Sequence, residues 1–192
     1  MGAPPEGLVL PCGTVPRIPL ITSEPLTAEQ RPVYDRIVSG PRGAVTGPLP
    51  AVLHSPELAE HFQALGALLR YGTTIPQLEK EIAILVTARR WESTLEWYIH
   101  EGEARKAGVP EAVIAAIEQG TAPAFTHPAQ AEVYEFAREL QHTGFVSEAR
   151  YRAVLERYGA LGAVELTAVL GYYTMVAMTL NAHEIVPPHG LG

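Results

Sequence analysis

The chain has 192 residues, 47% of them hydrophobic, with 14 basic and 21 acidic side chains and a formal charge of −7. That length fits one domain with an added arm and is enough to bury a core, while the acid surplus argues against a non-specific nucleic-acid surface. A single cysteine, Cys12, excludes an internal disulfide and any cysteine-based metal motif.

Residues 1–25 carry Pro4, Pro5, Pro11, Pro16, Pro19 and Pro25 and read as an extended arm, with Leu20 and Ile21 placing its end on the body or on a partner subunit. The start, MGAPPEGLVLPCG, has neither a basic region nor a long apolar run, so no signal peptide is expected and the expected location is cytoplasmic. Residues 26–188 then read as a single all-helical domain. Thr27-Ala28-Glu29-Gln30 fits a capping box, followed by the apolar face Val33, Tyr34, Ile37 and Val38, with Pro32 positioned to shorten or bend that helix. The Gly- and Pro-rich run GPRGAVTGPLP at 40–50 predicts a loop, either a plain connector or the wall of a pocket.

Ser55-Pro56-Glu57 predicts a strong helix start, Leu58, Phe62, Leu65 and Leu69 follow at helical spacing, and Gly72 ends the run. Pro76 to Gly108 predicts two helices folded against each other across a break at Trp91 to Thr94. Further helices are expected after Pro110, from Pro128 to Gln141, from Ser147 to Gly159 and over most of Gly162 to Asn181. The apolar stretch Leu161–Ala182 is interrupted by Glu165, Tyr172, Tyr173, Thr174 and Thr179, which favours a buried helix over a membrane span. No alternation of strand length appears, so the expectation is an all-α bundle of about eight helices around a central antiparallel hairpin.

The hairpin carries the candidate chemistry. Glu96 and His100 are four apart and share a helix face, and folding the hairpin back brings Glu81 level with His100. Two carboxylates around an imidazole suit proton removal and return at carbon. Each residue also has a purely structural reading: Ser93-x-x-Glu96 fits a capping box, His100 a satisfied interior histidine, and Glu81 a surface acid near Lys80 and Arg89. Glu96-x-x-x-His100 offers two metal ligands with no third at a fixed spacing, so neither metal nor cofactor is expected. Arg89 and Arg90 are candidates for holding a substrate carboxylate, and Arg70 and Tyr71 carry the same ambiguity. Trp97 and Tyr98 are candidates for excluding water, and one of Tyr172 and Tyr173 for pointing into a cavity. Asn181 and His183 read as the end of the last helix, and Met175 and Met178 as core filler.

The text EIAILVTARRW followed by EWYIHEGEARKAGV resembles the carboxymuconolactone decarboxylase and alkylhydroperoxidase-D family, as do LTAEQRPVYDRI upstream and GYYTMVAMTLNAHE downstream. The resemblance covers roughly residues 20–188 and implies that family's helical bundle and a homo-trimer, or a hexamer of two trimers. The peroxidase branch places a glutamate, two cysteines and a histidine at the positions of Glu81, Ser93, Glu96 and His100. Both sulfurs are absent here, and serine and glutamate cannot cycle between dithiol and disulfide. The resemblance therefore implies the decarboxylase branch: a cofactor-independent lyase on a small carboxylated lactone or related cyclic acid, not a thiol peroxidase. His100 would be the proton carrier, with Glu81 and Glu96 tuning it. The alternatives are an isomerase or hydratase-like enzyme on a small cyclic substrate, and a non-catalytic helical binding or assembly protein. No nucleic-acid or membrane partner is expected.

Overall fold

The structure, a computed structural model, describes residues 15–188. The readings of Cys12, of Pro4, Pro5 and Pro11, and of the extreme N-terminus fall outside these residues. The described chain forms eight helices and no strand: α1 Gln30–Ser39, α2 Leu49–Val52, α3 Pro56–Tyr71, α4 Gln77–Arg90, α5 Thr94–Ala107, α6 Glu111–Glu118, α7 Pro128–Thr143 and α8 Glu148–Ala182.

Helix α4 is the axis. Every residue from Lys80 to Ala88 is buried, so it is not the one-faced helix that the spacing of Leu78, Ile82, Leu85 and Val86 predicts. It packs most extensively on α7, and then on α5 and α8. Its apolar residues serve two cores. Ile82, Ala83, Leu85 and Val86 join Val113, Ile114, Val133, Phe136, Leu166 and Leu170 on one side. Ile84 joins Val33, Ile37, Leu53, Phe62, Leu69, Val169 and Leu180 on the other. Full burial of each such side chain contributes about 1.5–3 kcal/mol, which outweighs the weak amphipathic signal of the helix itself.

The polar residues of α4 are each accounted for. Lys80 Nζ donates to Leu69 O (3.2 Å), Arg70 O (2.8 Å) and Thr73 Oγ1 (2.9 Å). All three ammonium donors are used, and they close the exposed carbonyls at the end of α3. Burial lowers the pKa of Lys80. Thr87 Oγ1 donates to Ala83 O and accepts from Gln141, whose amide also reaches Leu170 O and Thr174 Oγ1.

The chain reverses at Trp91-Glu92-Ser93, with Glu92 in the left-handed region at φ 50°. Ser93 N–H donates to Ala88 O at 3.0 Å. Asn181 Nδ2 donates to Trp91 O at 2.7 Å, so the end of α8 pins this turn. The second arm, α5, ends at Gly108 with φ 90° and a Gly108 N–H bond back to Arg105 O.

Several boundaries differ from the sequence reading. Thr27 and Gln30 do exchange hydrogen bonds (3.0 and 3.3 Å), but regular helix starts at Gln30. Pro32 thus falls in the first turn, where a missing N–H costs little, and it does not break α1. The 40–50 run ends in the short helix α2, nucleated by Pro48 and Pro50. Ser55 makes no side-chain capping bond. The two helices expected on either side of Gly159 do meet at a kink there, with Gly159 leaving helical geometry at φ 68°, ψ −178°, and they run on from one another within α8. α8 has the length and hydropathy of a membrane span, yet half of its most apolar window is buried inside the fold, as in a core helix.

The described part of the arm lies on the second core: Ile18, Leu20 and Ile21 pack there. Ile21 N–H donates to Pro50 O at 3.0 Å, and His54 Nε2 bonds Pro19 O at 2.7 Å.

Candidate active site

Glu81, Glu96 and His100 come together at the edge of the second core. Glu81 is 0% and His100 4% exposed, and His100 Nδ1 meets Glu81 Oε2 at 2.8 Å. Gln77 Nε2 donates to the other oxygen, Oε1, at 2.5 Å. Both oxygens of Glu81 are thus in hydrogen-bond contact, and with Nδ1 engaged by Glu81 the ring nitrogen left for proton exchange is Nε2. The reading of Glu81 as a surface acid fails, because α4 is enclosed on all sides and Lys80 is engaged elsewhere.

Glu96 is 1% exposed, and neither of its carboxyl oxygens has a hydrogen-bond partner. Burial pushes its pKa well above the ordinary carboxylate range. It is not half of a capping box. Ser93 N–H is taken by Ala88 O, and Ser93 Oγ is itself buried and unpaired. One carboxyl is hydrogen-bonded and the other unpaired with burial favouring its neutral form, and two carboxyls in such different surroundings are suited to different proton-transfer roles.

Glu96 and His100 line a cavity of about 50 Å³ whose other walls are Arg42, Thr46, Gly47 and Pro48 from the loop, Leu49 from α2, Arg70 from α3, Ile99 from α5, and Tyr172, Tyr173, Val176 and Leu180 from α8; Glu81 is not among its walls and meets it only through His100. Tyr173 stands edge-on to the His100 ring, centroids 4.9 Å apart, and Tyr172 edge-on to Tyr173 at 5.4 Å. Both tyrosines line the cavity, not one. Burial pushes the Tyr172 pKa up to about 12 and raises that of Tyr173 further, so both hydroxyls stay protonated at neutral pH.

The structure does not bring the remaining sequence candidates to this cavity. Arg89 bonds Glu118 O at 2.7 Å and, with Trp97, Ser93 and Thr94, lines a separate open cleft of about 370 Å³. Arg90 lies over the Trp91 ring, 5.4 Å from its centroid. The two arginines at the end of α4 project from the hairpin turn, while Glu81 sits more than two turns earlier in the same helix. The larger cleft contains no acid–base pair. Tyr98 is exposed. Arg70, left ambiguous in the sequence, is a wall of the cavity. Arg42 was missed as a residue, although its loop was read as a possible pocket wall. Gln77 was missed too; its spacing of four from Glu81 was the available signal. His183 caps α8 and lines neither pocket. Among the described residues no group of three His, Cys, Asp or Glu side chains is arranged to hold a metal.

No protein-family model and no curated protein matches the chain. Among solved structures it is similar to an uncharacterised peroxidase-related protein from Silicibacter sp. TM1040, with 20% identity, a TM-score of 0.70, and coverage of 92% of this chain and 95% of that one. At that identity the likeness speaks for the fold, and it agrees with the fold expected from the hairpin text. The chain is an all-helical protein that shares its fold with a peroxidase-related protein over nearly the whole of both, and it carries serine and glutamate, not a cysteine pair, at positions 93 and 96.

Proposed function

We propose that the chain is a cofactor-independent enzyme that moves a proton to and from carbon, a lyase of the decarboxylase type acting on a small carboxylated lactone or related cyclic acid. The observation that supports it is the buried Glu81–His100 pair set beside the buried, unpaired carboxyl of Glu96. In the reaction a carbon–carbon bond to a carboxylate breaks, carbon dioxide leaves, and the electron pair passes into the ring carbonyl as an enolate. His100 Nε2 then returns a proton to carbon and is reprotonated from water, so no oxidant is needed. Glu81 holds the imidazole in one tautomer and orientation. Glu96, as a neutral acid, donates a hydrogen bond toward the developing oxyanion.

A panel of carboxylated lactones and cyclic acids, followed by absorbance and carbon dioxide release, tests this reading. Turnover with carbon dioxide is expected in the wild type. It should fall by roughly 10²- to 10⁴-fold in His100→Ala, with helix content unchanged. Turnover without gas would identify an isomerase or hydratase instead. Full activity in a folded His100→Ala would end the mechanism. With no cysteine in the hairpin, hydroperoxide consumption with a dithiol reductant stays at background in this reading.

The same reading includes a closed homo-oligomer, a trimer or two trimers. It is supported by exposed apolar side chains aligned on two neighbouring helices: Leu58, Leu65 and Leu68 on α3, and Leu161, Val164, Met175 and Met178 on α8. Sedimentation is expected to show a species of at least three chains, and a concentration-independent monomer would rule the assembly out.

A further inference from the structure

We propose that Arg42 is the carboxylate-binding residue of the cavity beside His100, that Tyr172 and Gly66 hold it in place, and that the ligand it takes is a small carboxylate. The inference rests on the proton-transfer reading only for what happens to the ligand once bound.

Arg42 comes from the loop between α1 and α2, and its guanidinium faces the cavity that also holds Glu96 and His100. A guanidinium brings five N–H donors and no acceptor. Among the described residues its one side-chain hydrogen bond runs from Nη2 to the Tyr172 hydroxyl at 3.4 Å, while Nε is buried without a partner. A buried donor atom left unpaired is costly, and Arg42 Nε is such an atom on a half-buried side chain. Glu96, the carboxylate that lines the same cavity, is not its partner: both of its oxygens are also unpaired. The missing acceptor is therefore one that arrives from solution. A carboxylate, planar with two acceptor oxygens, matches the forked edge of a guanidinium.

Gly66 gives the independent observation. It lies in the middle of α3, where glycine weakens a helix. A methyl group there would sit 2.1 Å from the Tyr172 hydroxyl oxygen and 2.3 Å from Arg42 Nη2. α3 thus omits a side chain at the point where these two groups nest against it. Arg70, one turn further along the same face, lines the cavity as well but keeps a 3.7 Å contact with Glu103. Arg42 is the cation whose partner is missing. The cavity is small, about 50 Å³, which favours a small carboxylate over a bulky one.

The test is equilibrium binding of sodium acetate against neutral acetamide, at constant ionic strength in chloride. It is read from the imidazole NMR signals of His100 in histidine-labelled protein, assigned by their loss in His100→Ala. Acetate is expected to give a saturable shift that acetamide does not. Affinity should fall roughly 10- to 100-fold in Arg42→Gln, and likewise in Arg42→Lys, which keeps the charge but not Nε or the fork. Gly66→Ala should weaken binding with Arg42 intact, and Arg89→Gln should leave it unchanged. Circular dichroism identifies any variant that misfolds, and either folded Arg42 variant suffices. Wild-type affinity in Arg42→Gln or Arg42→Lys, equal response to acetamide, or no saturable acetate response overturns the assignment. Arg42-dependent acetate binding in a protein that turns over none of the panel leaves the anion site standing and removes the lyase reading. Turnover that needs His100 and ignores Arg42→Gln removes the anion site alone.

Discussion

Glu81→Ala is expected to lower the unfolding free energy by about 3–5 kcal/mol and to leave less than about a hundredth of the wild-type turnover. Glu81 is fully enclosed by α4, α5 and their neighbours, and both of its oxygens accept, from His100 Nδ1 and Gln77 Nε2. Removing it leaves a void beside the buried His100 ring, whose Nδ1 loses its partner and its tautomer-fixing contact, while the exposed Gln77 can turn to water. The Coulombic worth of the pair itself matters less than the cost of the orphaned groups. Glu81→Gln separates the terms. It fills the space and offers His100 one carbonyl, but turns an NH2 toward the NH2 of Gln77, so it should fall between alanine and wild type. Urea unfolding with an unchanged m-value measures the stability change. A loss under about 1 kcal/mol for the alanine variant would mean that the pair is not buried as the structure has it.

The second large effect is a pH dependence carried by Glu96. Burial alone raises its folded pKa, and no hydrogen bond or cation opposes the shift. An unfolded glutamate ionises at about 4.3. Between that pH and the raised folded value the unfolded state has released this proton and the native state has not. Stability contributed by Glu96 is thus fully present below the unfolded pKa. It declines by about 1.4 kcal/mol per pH unit through the window and levels off above the folded pKa. Glu96→Gln removes the titration while keeping the shape. Its stability relative to wild type should be smallest near pH 4 and should grow steadily toward neutrality. Paired urea titrations across this range decide it, and a difference that is flat with pH would show that Glu96 is not held neutral. Turnover should fall in the same variant, because an amide donates a weaker hydrogen bond than a carboxylic acid.

The hairpin and the all-helical class were readable because caps, Pro–Gly punctuation and the four-residue spacing of Glu96 and His100 are local properties of the chain. The level of Glu81 followed from antiparallel geometry alone. What local patterns did not reveal depends on tertiary enclosure. α4 spaces its leucines and isoleucines like a half-buried helix, and only the closure of α7 and α8 around it buries Glu81. Arg89 and Arg90 were attractive as clamps by proximity in sequence, yet the turn at Trp91–Ser93 carries them to the opposite end of the hairpin from His100. Arg42 reaches the cavity from a loop nearly forty residues before Glu81 in the chain, and no periodicity registers such an approach. Gly66 gives no local signal either, because its role depends on Tyr172 and Arg42, distant in sequence, lying on it.

The enclosure of α4 also bears on how such a protein diversifies. A helix sealed on every side has no surface on which mutations accumulate harmlessly, so Glu81 and its neighbours are held by the stability of the whole domain. The loop before α2 is under no such restraint: most of it is accessible, and Gly43 and Gly47 sit at positive φ with open space around them. Changes of length or composition there would alter which molecules are admitted while leaving the proton relay in place. Chemistry and selectivity are thereby assigned to segments of the chain that can vary at different rates.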